Sequence, residues 1–271
     1  MAKISTKGQV EYIFSINTGR SGSNYLCRIF ENVKDCKALH EPRPICNGMP
    51  MRKYLRGKSE PMKRIMEEKT RSIRTLKSDF RLYFESNHCF IKGFGWFIPQ
   101  YFPQSKLGVI ILRRNAAEIS DSLLRIGCTP LTARGRMWIC TPDAHDSDID
   151  PPRGAFFYQF SRLVKLVMRV LNYLARQVGI SHLKEPSWLV SYERACIEWY
   201  VEEINAKASA FKRRYPQVKY YEVDIKDLNC FRSVKQMLEH FGCEGTRQLK
   251  SVVGSASNLK RNAKSDAVAR S

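Results

Sequence analysis

The chain has 271 residues, 43% of them hydrophobic, and a formal net charge of +20. This is enough for one large α/β domain with an ordinary globular core. The charge favours anionic partners (nucleotide, nucleic acid or acidic membrane) without choosing among them. The nine cysteines are scattered with no C-x-x-C pair, which excludes the common zinc spacings and fits reduced thiols inside a cell. The first residues hold no signal-peptide core, and no stretch approaches the roughly 20 apolar residues of a membrane span. A cytoplasmic protein is therefore expected.

Residues 12–33 read as strand, glycine-rich turn and helix. Tyr12, Ile13, Phe14 and Ile16 are apolar and β-favouring, and Gly19 and Gly22 punctuate a polar loop. Leu26, Ile29, Phe30 and Val33 then recur at helical spacing, with Ser23 as the expected N-cap. A strand entering a helix through such a turn directs backbone N–H groups and the positive helix end at one point, which suits an anion. The loop lacks the Lys-Ser/Thr pair of a nucleotide triphosphatase P-loop. It carries Arg20 instead.

The segment GRSGSNYL at 19–26 resembles the 5′-phosphosulfate loop of sulfotransferases that use 3′-phosphoadenosine 5′-phosphosulfate (PAPS) as donor. The resemblance implies that Gly19, Arg20, Ser21, Gly22, Ser23, Asn24 and Tyr25 bind the donor and that Arg20 neutralises charge on the leaving phosphate. Asn24 stands where such loops usually have threonine.

The stretch 38–50 contains prolines and reads as a loop, so Glu41 falls shortly after the first helix, beside His40. Either group could take a proton from an incoming hydroxyl. On spacing alone Glu41 reads as a solvated carboxylate. A Glu-Pro pair in this region, as in Glu41-Pro42, is similar to that of carbohydrate-directed sulfotransferases, and this implies Glu41 as base with His40 as its competitor. The basic stretch 51–79, with Met62, Ile65 and Met66 at helical spacing, reads as a helical insertion or lid at the acceptor site.

A second buried strand is expected at the start of 88–103, ending near Lys92 and Gly93. Bacterial carbohydrate sulfotransferases have a similar strand with Lys then Trp, which implies that Lys92 faces the sulfuryl group or the acceptor. The near-continuous apolar run from Leu107 to Leu112 marks a central parallel strand covered on both faces. Arg113, Arg114 and Asn115 follow it, at the strand end where open α/β sheets bind ligands. Ser122 lies eight residues after Arg114. An Arg-Asn-Pro segment with a serine at that spacing binds the 3′-phosphate in sulfotransferases, and Arg114 and Ser122 match it, with Ala116 in place of proline.

Residues 128–155 read as an irregular acidic loop that caps the acceptor pocket. A helix is expected over 156–178, with Phe157, Phe160, Val164, Val167, Leu171 and Leu174 packed on the core and Arg162, Lys165, Arg169 and Arg176 outside. Such a basic amphipathic helix could instead touch an anionic membrane. Further helices are expected at 193–215 and 231–242, with a strand near 218–228 between them. The tail, 251–271, reads as a flexible basic segment. The resemblance implies that Lys260 and Arg261 close over the 3′-phosphate.

The expected fold is one α/β domain over 1–271, a mostly parallel sheet with helices on both faces and a P-loop-like phosphosulfate-binding loop. The resemblance implies a PAPS-dependent sulfotransferase. It would yield PAP, act on an acceptor hydroxyl of carbohydrate type, and need no metal, because a sulfuryl group carries less charge than a phosphoryl group. Two rivals are a kinase-like P-loop enzyme and a protein that binds nucleic acid through its charge; specific nucleic-acid binding is not expected.

Overall fold

The computed structural model describes residues 9–145, 147–181 and 183–255. Five strands form one sheet, all parallel: β1 (Tyr12–Ile16), β2 (Cys36–His40), β3 (Leu82–Ser86), β4 (Leu107–Arg113) and β5 (Lys219–Asp224), in the order β2-β3-β1-β4-β5. Between them run α1 (Ser23–Phe30), α2 (Met49–Tyr54), α3 (Glu60–Lys77), the single turn α4 (Ile98–Tyr101), α5 (Ala116–Arg125), α6 (Gly154–Gln177) and α7 (Ser187–Arg214). After β5 come α8 (Phe231–His240) and the single turn α9 (Leu249–Val252).

Strand alternation assigns the two faces. Phe14 and Ile16 of β1 join Tyr83, Val109 and Ile111 in one buried cluster with Met62, Met66 and Ile73 of α3, Ile119 of α5 and Ile204 and Phe211 of α7. Ile13, Phe84, Ile110 and Leu112 face the other way, onto Leu26, Ile29 and Phe30 of α1 and Val234 and Leu238 of α8. The sheet is thus a layer between two helical layers, as the sequence implies. The chain leaves β1 for β2 on one side and returns to β4 on the other. The carboxyl end of β1 is therefore a topological switch point, where such sheets open a crevice.

Several expectations need correction. The stretch 38–50 is not all loop, because β2 pairs with β3 from Cys36 to His40; its partly exposed side chains gave no apolar signal. The buried strand near Lys92 lies earlier, at Leu82–Ser86, and 88–93 is a set of tight turns. Glu85 disguises β3. It is wholly buried, and the sheet tolerates it because Lys69 reaches its Oε1 at 2.7 Å, Tyr83 donates to Oε2 at 2.7 Å and Asn87 donates to Oε1 at 2.9 Å. The stretch 51–79 is no lid over its α3 portion, since Met62, Met66 and Ile73 are core residues. The turn α9 (Leu249–Val252) runs into the first two residues of the tail, and Lys260 and Arg261 lie outside the described residues. The face predicted to pack α6 on the core is largely exposed, including Phe160, Val167, Leu171 and Leu174.

Candidate functional site

The loop from Asn17 to Gly22 leaves β1 at the switch point. Gly19, Arg20 and Gly22 all have positive φ, at 75°, 56° and 94°. Glycine takes this conformation freely and arginine does not, so the strained Arg20 marks a loop shaped for something other than stability. Gly22 is the residue before α1, where a Cβ would meet Ile225 Cδ1 at 2.1 Å. Ser23 is hence the first helical residue and not the N-cap, and its hydroxyl lies 3.1 Å from His40 Nε2. The backbone N–H groups of Ser21, Gly22, Ser23 and Asn24 have no protein acceptor among the described residues. The Ser21 hydroxyl is buried and also has no partner among the described residues. Four free donors and an orphaned hydroxyl at the positive end of α1 form a cradle for an anion.

The second predicted segment folds onto this loop. Arg20 Nε donates to Ser122 Oγ at 2.9 Å, and Arg114 Nη1 donates to the Arg20 carbonyl at 2.8 Å. Asn115 caps α5 by accepting from the N–H groups of Ala117 and Glu118, at 2.9 and 3.3 Å. That cap fixes the turn between Arg114 and the start of α5. Arg114 also holds Glu118 at 2.9 Å.

A cavity of about 640 Å³ opens over the loop. Its wall includes Gly19, Arg20, Gly22, Ser23, Asn24, Arg114 and Ser122, together with His40 and Glu41. Four arginines (Arg20, Arg114, Arg125 and Arg134) and two glutamates (Glu41 and Glu118) line it. The balance attracts an anion. Trp138 and Ile139 complete one wall, which places part of the 128–155 segment at this cavity.

Glu41 also has positive φ, at 49°, and its N–H donates to the Ser86 carbonyl at 3.0 Å. Its carboxylate meets His88 Nδ1 at 2.5 Å. The His88 ring is buried and stacked on Trp138, with ring centres 5.1 Å apart. Burial pushes His88 from 6.5 down to about 4, with Lys92 adding to the effect and Glu41 opposing it. Burial pushes Glu41 up, but the His88 hydrogen bond and nearby positive groups outweigh it, and its pKa falls below 4.5. At pH 7 the pair is a carboxylate accepting from the Nδ1–H of a neutral imidazole.

His88 is the site residue that sequence reasoning missed. Its signal was a histidine entering a buried apolar run, CFI at 89–91, which the misplaced strand obscured. Lys92, in contrast, is fully buried and off the cavity wall. It donates to the Trp138 carbonyl at 2.5 Å and to the Tyr200 hydroxyl at 3.1 Å, and Tyr200 in turn bonds the Thr18 carbonyl. Through Tyr200, Lys92 is tied to the start of the loop at Thr18. Tyr25 lines the cavity, but its hydroxyl is committed to the Leu228 carbonyl at 3.0 Å and the Gly254 N–H at 2.7 Å.

The His88 environment sets a pH dependence of stability. In the unfolded chain the imidazole takes a proton near pH 6.5, in the folded chain only near pH 4. The stabilisation is complete above pH 6.5 and is lost as pH falls toward 4, because there the unfolded state binds more protons. Glu41 acts in the same direction at lower pH. The urea midpoint should fall across this window, and H88N should flatten the fall. An equal slope in H88N would assign the effect to other groups.

No family model matches the chain, and no curated protein matches it. Among solved structures it is similar to a sulfotransferase from Alicyclobacillus acidocaldarius, at 13% identity over 86% of this chain and 81% of that one, with a TM-score of 0.39. An overlap of that quality carries no weight for the site, whose chemistry follows from the residues described above.

Proposed function

We propose that this protein is a sulfotransferase that uses PAPS to sulfate an acceptor hydroxyl. One observation carries the reading. Two segments 102 residues apart, each resembling a donor-binding segment, meet through Arg20, Arg114 and Ser122 in one cavity with a paired carboxylate. The orphaned Ser21 hydroxyl and the free N–H groups of 21–24 fit the 5′-phosphosulfate end. Arg114 and Ser122 would hold the 3′-phosphate, the arginine through its fork of donors. When bound, PAPS supplies the sulfuryl group. The protein contributes position and charge. Loop amides and Arg20 stabilise negative charge where it grows on the leaving phosphate. Glu41 Oε2 accepts the acceptor proton while His88 fixes the carboxylate through Oε1. His40, exposed and bonded to Ser23, is the competing base. A carbohydrate-type acceptor is proposed from the Glu41-Pro42 resemblance.

Calorimetric titration with PAP (adenosine 3′,5′-bisphosphate) without magnesium, beside ATP with magnesium, tests the donor site. PAP alone should bind tightly. Binding of ATP only, or of neither ligand at physiological salt, would overturn the reading. In the same assay R114A should weaken PAP by about 1.5–3 kcal/mol, the scale of a hydrogen bond to a charged group. Unchanged affinity would remove Arg114 from the donor site.

A further inference from the structure

Helix α6 turns a mostly polar face inward, with Tyr158, Ser161 and Asn172 buried. Tyr158 donates to the Pro130 carbonyl at 2.9 Å, and Ser161 is buried. Asn172 exchanges hydrogen bonds with the Leu183 backbone at 2.7 and 3.2 Å. Lys165 pairs with Glu185 at 2.6 Å and Glu193 at 2.9 Å. The opposite side presents Phe156, Phe160, Leu163, Leu166, Val170 and Leu174 to solvent, Phe156 being 88% exposed and Leu163 59%. Over 24 residues, about 36 Å of helix, this is a continuous apolar strip of a kind water-soluble surfaces rarely carry.

Charge indicates what covers it. The sequence of α6 contains no Asp or Glu. Arg162, Arg169 and Arg176 recur every seventh residue, so they share one flank, between the inward face and the apolar strip. Arg169 and Arg176 form no ion pair among the described residues. Two copies of such a face would set arginine rows together with no carboxylate between them. Among the described residues no helix is long and apolar enough to cross a membrane, so α6 is suited to lie on a bilayer rather than span it.

We propose that α6 docks the protein on an anionic lipid bilayer, its apolar strip entering the boundary of headgroups and acyl chains and its arginine flank meeting lipid phosphates. The inference is independent of the catalytic reading. The segment that receives Tyr158 at Pro130 continues to Arg134 and Trp138 on the cavity wall, so docking would bring that wall close to the membrane.

The test is cosedimentation of the full chain with phosphatidylcholine vesicles and with vesicles of equal phosphatidylcholine and phosphatidylglycerol, at about 0.1 M salt. The triple variant L163Q/V170Q/L174Q keeps every charge and alters only exposed positions; R169E/R176E reverses two charges. The wild type should bind the anionic vesicles at least about tenfold more tightly than the neutral ones, and each variant should lose about tenfold or more. Unchanged melting curves would show that both variants fold. Equal binding by wild type and triple variant would assign the attraction to the general +20 charge and overturn the proposal. No binding to anionic vesicles overturns it too. So does a wild-type dimer in light scattering that the triple variant dissolves, which would assign the face to a second copy.

Discussion

Replacing Glu41 with glutamine should leave PAP affinity within about twofold and lower turnover by about 10²–10⁴-fold, the range of a positioned general base. The amide is isosteric, can still contact His88 and cannot accept a proton. Because Glu41 lies below the usual carboxylate range, turnover in the wild type should be flat through neutral pH and fall only in acid. H88N should lower kcat more than it raises donor KM, since His88 acts through Glu41, whose carboxylate it holds. Unchanged turnover in E41Q would pass the base role to His40.

The second large effect is on stability. Lys69 and Glu85 are 1% and 0% exposed at their side chains and 2.7 Å apart. Removing one partner strands the other charge in the core, which costs about 3–5 kcal/mol. K69M should therefore lower Tm by about 6–20 °C at 2–4 °C per kcal/mol. Adding E85Q should restore more than half of the loss, because the buried group is then neutral and still bonded to Tyr83 and Asn87. An unchanged Tm in K69M would mean that Tyr83 and Asn87 alone satisfy the carboxylate. The network reaches the site: Asn87 bonds Glu85 at 2.9 Å and accepts from the Cys89 N–H at 2.9 Å, which brackets His88. K69M should thus also depress turnover through a misplaced His88.

The elements with one dominant local signal were legible in the sequence. The β1 run, its glycine loop and α1 appear where residues 12–30 place them, and Leu107–Arg113 is the buried central strand its apolar run predicts. The pairing of Arg114 with the Arg20 loop was legible only through resemblance, because 94 residues separate them. Strands β2 and β3 were obscure for opposite reasons. Cys36–His40 is partly exposed and lacks an apolar alternation, and β3 buries a carboxylate whose partner Lys69 is 16 residues away. Periodicity showed that α6 has two faces but not which one meets the protein. That was decided by Pro130, Leu183 and Glu193, residues distant in sequence. The partners of Lys92, Trp138 and Tyr200, were hidden from the sequence because they lie 46 and 108 residues on.

The strand order has a consequence during synthesis. β1 is made before the other four strands of this sheet and is the central one in the finished sheet, with β3 on one edge and β4 on the other. Both neighbours are encoded much later, β4 only from Leu107. At 5–20 residues per second β1 waits about 3–14 s for β3, with its backbone N–H and C=O groups unpaired along both edges, and about 5–20 s for β4. A nascent chain in that interval displays a bare apolar strand, YIFSI, that neighbouring chains on a polysome could pair with. Chaperone occupancy on the growing polypeptide should therefore peak before residue 113 is extruded and fall once β4 has docked.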